Sequence, residues 1–216
     1  MNIHSLYRPF LAFFRKSRLK QFYHLLDIDR NTSVIDVGGS LFFWELAETY
    51  GFSIPQVTIV NLKETVEKLP GNIKWVVGDG RKLAFDDLSF DIAFCNSVIE
   101  HLSTKDDQLK FARELRRVGR RYYVQTPNRR FPIEPHLLTP FIHWLPISFQ
   151  RKLIRNFTVW GVVTRPTREE CERYFQRPKL LNRKEMAEIF PGSTLCIERF
   201  IGLPKSIIAI SNDPMA

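Results

Sequence analysis

Short apolar runs alternate with segments of helical spacing along most of the chain. The apolar runs predict five successive strands, SVIDV, QVTIVN, NIKWVVGDG, SFDIAFCNS and RRYYVQTPN. Helices are predicted over residues 17–26, LFFWELAETYG and KDDQLKFARELRRV, the last with Thr104 as N-cap, and a helical turn over TVEKLPG. Because strands and helices follow each other at this spacing, the sheet is expected to be parallel, with helices on both faces.

The last part of the chain has a different pattern. A helix is predicted over NRKEMAEIF, and two strands, STLCIERFIG and PKSIIAISN, follow close together. Strands joined by so short a link pair antiparallel, because a parallel pair needs a crossover of about a dozen residues. The predicted fold is α/β, a doubly wound and mostly parallel seven-stranded sheet that ends in an antiparallel hairpin.

An irregular segment, residues 128–181, separates the fifth strand from that last helix. It contains NRRFPIEPHLLTPFIHWLP, a basic helix near 148–156 and a predicted loop, TRPTREECERYFQRPKL. Insertions at the C-terminal edge of a parallel sheet often hold ligands. We interpret the segment as a cap over a substrate; the alternative is a flap that only covers the sheet.

Composition favours one domain over residues 1–216, since 216 residues with 44% hydrophobic content suffice for one sizeable core. The three cysteines, Cys95, Cys171 and Cys196, are too few and too widely spaced for a disulfide framework or a metal pair, which favours a reducing, cytoplasmic location. No apolar run reaches the roughly 20 residues of a membrane span, so a soluble protein is expected.

The net charge of +9 favours acidic partners, but the basic residues are spread along the chain. No pattern typical of a nucleic-acid-binding module is present in the sequence, so no specific nucleic-acid partner is expected.

The stretch SVIDVGGSLFFWEL places two glycines between a buried strand and a helix. Gly38 and Gly39 remove side chains that would keep a ligand from the backbone, and Asp36 precedes them. Tight turns also use glycine for steric reasons alone. However, the next strands end in polar or small residues too, and one ligand along the rim of the sheet would meet them all: Asn61, Asp79, Gly80, Asn96 and Ser97.

The motifs VIDVGG, GDG and LAFDDLSFDIAFCNSVIEHL resemble those of class I S-adenosylmethionine-dependent methyltransferases, especially the group that includes ubiquinone and menaquinone biosynthesis enzymes. The resemblance covers residues 30–127 and 182–212 and includes the terminal hairpin. It implies a Rossmann-like methyltransferase fold, S-adenosylmethionine as cofactor and a small-molecule substrate.

The resemblance also implies roles for the rim residues. Gly38 and Gly39 would face the methionine part of the cofactor, with Asp36 near its amino group. Asn61 would hold the ribose hydroxyls, and Leu62 would pack on the adenine. Four further residues would complete the cofactor site, the first two at the adenine and the last two at the methionine end: Asp79, Gly80, Asn96 and Ser97.

Three positions depart from the family pattern. Ser40 and Phe42 stand where the motif has its second and third glycines, and Asn61 stands where the second strand commonly ends in a carboxylate. An amide still bonds hydroxyls, though more weakly than an ionised group. An aromatic side chain from Phe42–Trp44 could attract the sulfonium by a cation–π contact, but packing in the core is the preferred interpretation.

Methyl transfer from a sulfonium needs an oriented nucleophile and no metal, and none is expected here. A hydroxyl nucleophile benefits from a general base. His101, after the fourth strand, and His136, which Glu134 could orient, are the predicted catalytic residues; His143 is a weaker candidate because HWLP resembles an apolar anchor.

The basic and aromatic residues 1–30 predict a helix that either lies on an anionic membrane surface or folds over the cofactor pocket. The second hypothesis, a lid, is preferred.

The leading functional hypothesis is methyl transfer to a hydroxyl of a glycan, lipid-linked or quinone-like precursor. One alternative is a nicotinamide-dependent oxidoreductase, but its fingerprint needs glycines where Ser40 and Phe43 stand. The other is a catalytically silent protein that keeps the methyltransferase fold and binds a partner.

Overall fold

The structure, a computed structural model, describes residues 16–175 and 180–211. A seven-stranded sheet organises them, and its strands are β1 (Ser33–Val37), β2 (Gln56–Asn61), β3 (Ile73–Val77), β4 (Phe90–Asn96), β5 (Gly119–Pro127), β8 (Thr194–Phe200) and β9 (Leu203–Ile210). Their order is β3-β2-β1-β4-β5-β9-β8. β1 to β5 are parallel, whereas β9 runs antiparallel to both β5 and β8. The predicted fold class, including the terminal antiparallel hairpin, is confirmed.

Helices cover both faces of the sheet. The helices of the described residues are α1, described over residues 16–26, α2 (Leu41–Thr49), α3 (Lys105–Val118), α4 (Ile147–Phe157), α5 (Val159–Thr164), α6 (Arg168–Phe175) and α7 (Arg183–Ile189), of which α4 to α6 belong to the insertion. α1 and α2 bury an aromatic cluster on one face, with Phe22, Trp44 and Phe94 inaccessible to solvent. α3 and α7 bury a mostly aliphatic core on the other, around Leu115 and Met186.

The insertion contains two short strands, β6 (Ile133–Glu134) and β7 (Thr139–Pro140), followed by α4, α5 and α6. Its two ends lie side by side, because Asn128 and Leu181 form an isolated parallel bridge. The basic helix predicted near 148–156 is confirmed as α4.

Two local predictions are wrong. TVEKLPG forms no helix, since so short a segment cannot offset the cost of nucleation and Pro70 lacks an amide hydrogen. The loop predicted over TRPTREECERYFQRPKL contains α6. A reciprocal cap starts α6, in which the Glu170 amide donates to Thr167 Oγ1 (3.2 Å) and the Thr167 amide donates to Glu170 Oε2 (2.8 Å).

The N-terminal lid prediction falls partly outside the described residues, which exclude 1–15. Within the described part, Leu19, Phe22 and Leu26 of α1 are buried in the core against the sheet. The apolar side of α1 is therefore used for packing. Among the described helices, none combines the length and the apolar character needed to cross a membrane.

Candidate active site

The glycine turn after β1 is fixed by close contacts. Gly38 has φ of +79°, and a Cβ there would lie 2.6 Å from the Val98 side chain. A Cβ on Gly39 would lie 1.9 Å from Asp36 Oδ2. Asp36 is fully buried and accepts a hydrogen bond from Trp44 Nε1 at 2.9 Å. The turn therefore accepts only glycine at these two positions, and a buried carboxylate supports it from below.

Asn61 closes the same turn from β2. Its Nδ2 donates to the Gly39 carbonyl at 3.0 Å, and its Oδ1 accepts from the Leu62 amide at 2.8 Å. Leu62 is 72% exposed. Asn61 is thus bound to the glycine turn, 22 residues away in sequence. The Leu62 side chain, next to it, is exposed to solvent.

Asp79, after β3, is engaged by a cation. Arg81 pairs with Asp79 at 2.6 Å and with Asp107 at 2.8 Å. The hydrogen bonds from Arg81 lower the pKa of Asp79 below its usual value. Gly80 packs tightly, because a Cβ there would lie 2.5 Å from Phe111 and 2.6 Å from Val37.

Asn96 and Ser97, at the end of β4, are also held by partners. Arg18 Nη1 of α1 donates to Asn96 Oδ1 at 2.6 Å. Ser97 has φ of +60°, and its hydroxyl donates to Gln125 Oε1 at 2.8 Å. All the predicted cofactor residues therefore lie at the C-terminal ends of β1 to β4, while Arg18, which the sequence analysis missed, joins them from α1.

A buried charge cluster continues from Arg18 to the hairpin. Arg18 pairs with Glu198 at 2.7 Å, and Lys205 reaches the same carboxylate at 3.5 Å. Burial opposes ionisation of Glu198, but Arg18 and Lys205 outweigh it and hold the pKa of Glu198 below its usual value. Burial and the Arg18 charge lower the pKa of Lys205 to about 8. The cluster ties α1 to β8 and β9 beside the rim.

The two predicted catalytic histidines contact each other, His101 from the turn after β4 and His136 from the insertion. The ring centroids of His101 and His136 are 5.0 Å apart. Glu134 is 2% exposed, lies 2.8 Å from His136 Nδ1 through Oε1, and accepts from the Leu137 amide through Oε2. The predicted orienting role of Glu134 agrees with this contact. His143 instead contacts the Arg129 carbonyl through Nε2 at 3.1 Å.

Glu100 is a third member of the histidine site that the sequence analysis missed. It is 1% exposed, and Thr126 Oγ1 donates to its Oε2 at 2.9 Å. Burial raises the pKa of Glu100 to about 7. Ligand atoms of Glu100, His101 and His136 all lie within 4.8 Å of one another. The signal was the dipeptide Glu-His in VIEHL, of which only the histidine was considered.

A cavity of about 370 Å³ opens beside this cluster. His101, Glu134 and His136 line its polar side. The remaining lining is largely apolar and comes from the insertion: Arg129, His143, Leu145, Pro146, Ile147, Gln150, Tyr174, Phe175 and Leu180. Because Val98 contacts the Gly38 turn and His101 follows three residues later, the cavity lies next to the predicted cofactor rim.

Residues 36–121 match a family model described as a methyltransferase domain. Among solved structures, magnesium protoporphyrin IX methyltransferase from Synechocystis, with bound S-adenosylhomocysteine, is similar at a TM-score of 0.59 and 12% identity, covering 98% of this chain and 89% of that one. The Burkholderia thailandensis 1,6-didemethyltoxoflavin-N1-methyltransferase is similar at a TM-score of 0.55 and 16% identity, covering 93% of this chain and 79% of that one.

No curated protein sequence matches the chain. The chain spans 60% of the length of another similar structure, from Anabaena variabilis, with a TM-score of 0.47 and 19% identity over 66% of this chain. The matched family model runs from the end of β1 to the start of β5 and includes the glycine turn and the ends of β2, β3 and β4, where the other predicted cofactor residues lie. The chain therefore has a Rossmann-like methyltransferase fold, and its residues 36–121 are similar to a methyltransferase domain.

Proposed function

We propose that the protein transfers the methyl group of S-adenosylmethionine to a hydroxyl of an apolar, lipid-linked acceptor that binds in the cap cavity. The observation that carries this proposal is the position of His101 and His136 on the wall of a mostly apolar cavity of about 370 Å³, with His101 shortly after the end of β4 in the chain. Neither alternative, the oxidoreductase or the silent binding protein, is favoured by the family match.

For the cofactor, we propose the predicted residues in their predicted roles. The glycine turn admits the methionine part beside Asp36, and Asn61 and Leu62 hold the ribose and the adenine. Asp79, which also pairs with Arg81, accepts a hydrogen bond from the adenine amino group, and Gly80 lies beside it. Asn96 and Ser97 border the methyl group. The support is that these positions share one rim.

The chemistry is an in-line displacement at the activated methyl group. The acceptor oxygen forms a bond to the methyl carbon, the carbon–sulfur bond breaks, and the sulfonium becomes a neutral thioether. The hydroxyl proton must leave, and His101 and His136 are placed to assist its departure. Residues 128–181 then act as a substrate cap that orients the acceptor and keeps water out.

The apolar character of the acceptor follows from the mouth of the cavity. Leu145 and Ile147 line the cavity and are nevertheless 38% and 57% exposed. They continue into exposed apolar residues of the insertion, a surface that we call the cap patch: Phe141, Trp144, Leu145, Ile147, Phe149, Phe157, Val159 and Val162. An apolar tail could therefore extend from the cavity along the cap patch.

The charge around the cap patch favours an anionic membrane as the source of the acceptor. Residues 135–168 contain no Asp or Glu, whereas Lys152 and Arg155 are exposed on α4, the helix that also carries Phe149 and Phe157; the neighbouring Arg151 pairs with Glu172 at 3.1 Å. Basic and aromatic side chains on one amphipathic helix are typical of surfaces that lie on anionic bilayers. This contact differs from the predicted one through the N-terminal helix, whose described apolar residues are buried except Leu25, which is 50% exposed.

An assay with labelled S-adenosylmethionine tests the proposed methyl transfer. The protein is incubated with labelled S-adenosylmethionine and either a membrane lipid extract or an aqueous metabolite extract. We expect label to enter the lipid fraction, and His136→Ala to lower the rate at least tenfold without changing affinity for S-adenosylhomocysteine. The exposed His24→Ala variant is the control. Label in the aqueous fraction alone would contradict the lipid-linked acceptor.

Vesicle sedimentation tests the cap patch. We expect binding to vesicles with anionic phosphatidylglycerol, weaker binding to purely zwitterionic ones, and loss of binding in Phe149→Ser/Phe157→Ser and in Lys152→Gln/Arg155→Gln. Matched controls remove an exposed apolar residue and two exposed cations elsewhere, in Val66→Ser and Lys63→Gln/Lys68→Gln. Equal binding by patch and control variants would overturn the membrane contact.

A further inference from the structure

We propose that Glu100, His101 and His136 bind a divalent transition-metal ion, and that the acceptor hydroxyl coordinates this ion during methyl transfer. The role of the ion in catalysis rests on the proposed function, whereas the metal site itself rests only on the geometry of the three side chains. It revises the expectation from the sequence that the protein uses no metal, and it gives His101 and His136 a ligating role in place of the proton-removing role in the proposed function.

The donor set and its spacing suit such an ion. One carboxylate and two imidazoles are ligands that Zn²⁺, Fe²⁺ and Co²⁺ accept readily. Two ligands of a tetrahedral ion bonded at about 2.1 Å lie about 3.4 Å apart. The three donors lie within 4.8 Å of one another, so shortening the widest separation by up to about 1.4 Å would close the site.

The surrounding residues orient the donors as they do in metal sites. Glu134 holds Nδ1 of His136 at 2.8 Å, so His136 would ligate through Nε2. A carboxylate behind a ligating histidine fixes its tautomer and raises its basicity. Thr126 Oγ1 in turn donates to Oε2 of Glu100 at 2.9 Å. Two of the three proposed ligands therefore have an outer partner of the kind that orients metal ligands.

One carboxylate oxygen supplies an independent observation. Glu100 is 1% exposed, and within residues 16–175 and 180–211 its Oε1 has no hydrogen-bond partner. A buried polar oxygen without a partner is unfavourable, and such atoms are rare in native proteins. A bound cation would satisfy it and would also compensate the burial of its charge.

The proposed metal site borders the cavity in which we propose that the acceptor binds. His101 and His136 line the cavity, so the coordination positions that protein ligands leave vacant point to the space in which the acceptor binds. A hydroxyl bound to the ion loses its proton more readily, and that proton passes to water in the cavity. The resulting metal-bound oxygen attacks the methyl carbon, and the bonding electrons of the carbon–sulfur bond stay on sulfur.

Metal titration of the full chain tests the site. Protein treated with a chelator and dialysed is titrated with Co²⁺, followed by its visible absorption, and with Zn²⁺ in competition with a chromophoric chelator. We expect one ion per chain. Affinity should fall at least 100-fold in His101→Ala, His136→Ala and Glu100→Gln, and 10- to 100-fold in Glu134→Gln, which removes only the outer partner. His24→Ala should bind the ion as the wild type does.

The same samples separate this inference from the proposed function. Thermal unfolding shows that each variant is folded, and calorimetry with S-adenosylhomocysteine shows that the cofactor site is intact. A wild type that binds S-adenosylhomocysteine but no stoichiometric ion overturns the metal site alone. A wild type that binds the ion but not S-adenosylhomocysteine overturns the proposed function and leaves the metal site standing. Equal metal affinity in wild type and His136→Ala also overturns the site.

Discussion

The sheet and its insertion handle apolar side chains in opposite ways. Beneath the sheet, Leu19, Phe22 and Trp44 have no exposed surface. In the insertion, Phe149 is 57% and Phe157 71% exposed, and the buried cluster is small: Leu137, Ile142, Ile154 and Cys171. Large exposed apolar patches mark sites of interaction. The sheet therefore supplies stability and the cofactor rim, while the insertion presents a surface suited to an acceptor or a membrane.

The polar side chains of the cofactor rim and of the insertion also differ in their surroundings. At the rim, Asp36, Asn61 and Asn96 already accept or donate hydrogen bonds within the fold. In the insertion, Glu134 and His136 form a pair that faces a cavity. The rim side chains are therefore held by partners within the fold, whereas Glu134 and His136 are held by each other at the cavity.

The largest expected effect follows from the rim. In Gly39→Ala the new Cβ would lie 1.9 Å from Asp36 Oδ2, so the turn or the carboxylate must move. We expect affinity for S-adenosylhomocysteine to fall at least 100-fold by calorimetry. Gly71→Ala is the matched control, since its chain neighbours aside no atom of residues 16–175 and 180–211 would lie within 4 Å of the added Cβ. Affinity within threefold of wild type in Gly39→Ala would contradict the packed turn.

The buried charge cluster should show the next largest effect, now on stability. Arg18→Met leaves Glu198 buried without its closer cation, and breaking a buried pair in this way destabilises by about 3–5 kcal/mol. Urea unfolding measures the change. Lys110→Met removes an exposed pair with Asp106 and should leave stability unaltered. An equal loss of unfolding free energy in Arg18→Met and Lys110→Met would show that the buried pair stabilises the fold no more than the exposed one.

Core truncation compares the two regions directly. Leu19→Ala creates a cavity in the sheet core and should reduce the free energy of unfolding by about 2–5 kcal/mol. Phe157→Ala removes an exposed side chain of the cap patch and should change it by less than about 0.5 kcal/mol. A large loss in Phe157→Ala would show that the cap patch is packed against another part of the protein.

The smallest expected effect is a pH dependence. The pKa of Glu198 lies below its unfolded value of 4.5, so its ionised form stabilises the fold fully above pH 4.5. That contribution is lost as pH falls through the lower folded pKa. The difference in unfolding free energy between wild type and Glu198→Gln should therefore shrink below pH 4.5. A constant difference down to pH 3 would argue against the ion pair.

Sequence reasoning succeeded where the signals are local. The strands, the Thr104 cap and the hairpin all follow from residues close in sequence, and Glu134 lies two residues from His136. The cap of α6 was equally local but was overlooked beside Pro166.

Contacts between distant segments could not be predicted in the same way. Arg18 and Asn96 are 78 residues apart, and Thr126 reaches Glu100 across 26 residues. The cavity likewise combines residues from the end of β4 with others from the whole insertion. No periodicity within one segment carries that information, because the sheet register and the path of the insertion bring these side chains together.

Calorimetric titration of the full chain with S-adenosylhomocysteine and, separately, with NAD tests the central claim most directly. We expect one S-adenosylhomocysteine per chain, binding at least 100-fold weaker in Gly39→Ala, and no heat from NAD. Binding of NAD, or no binding of S-adenosylhomocysteine by the folded wild type, would contradict it.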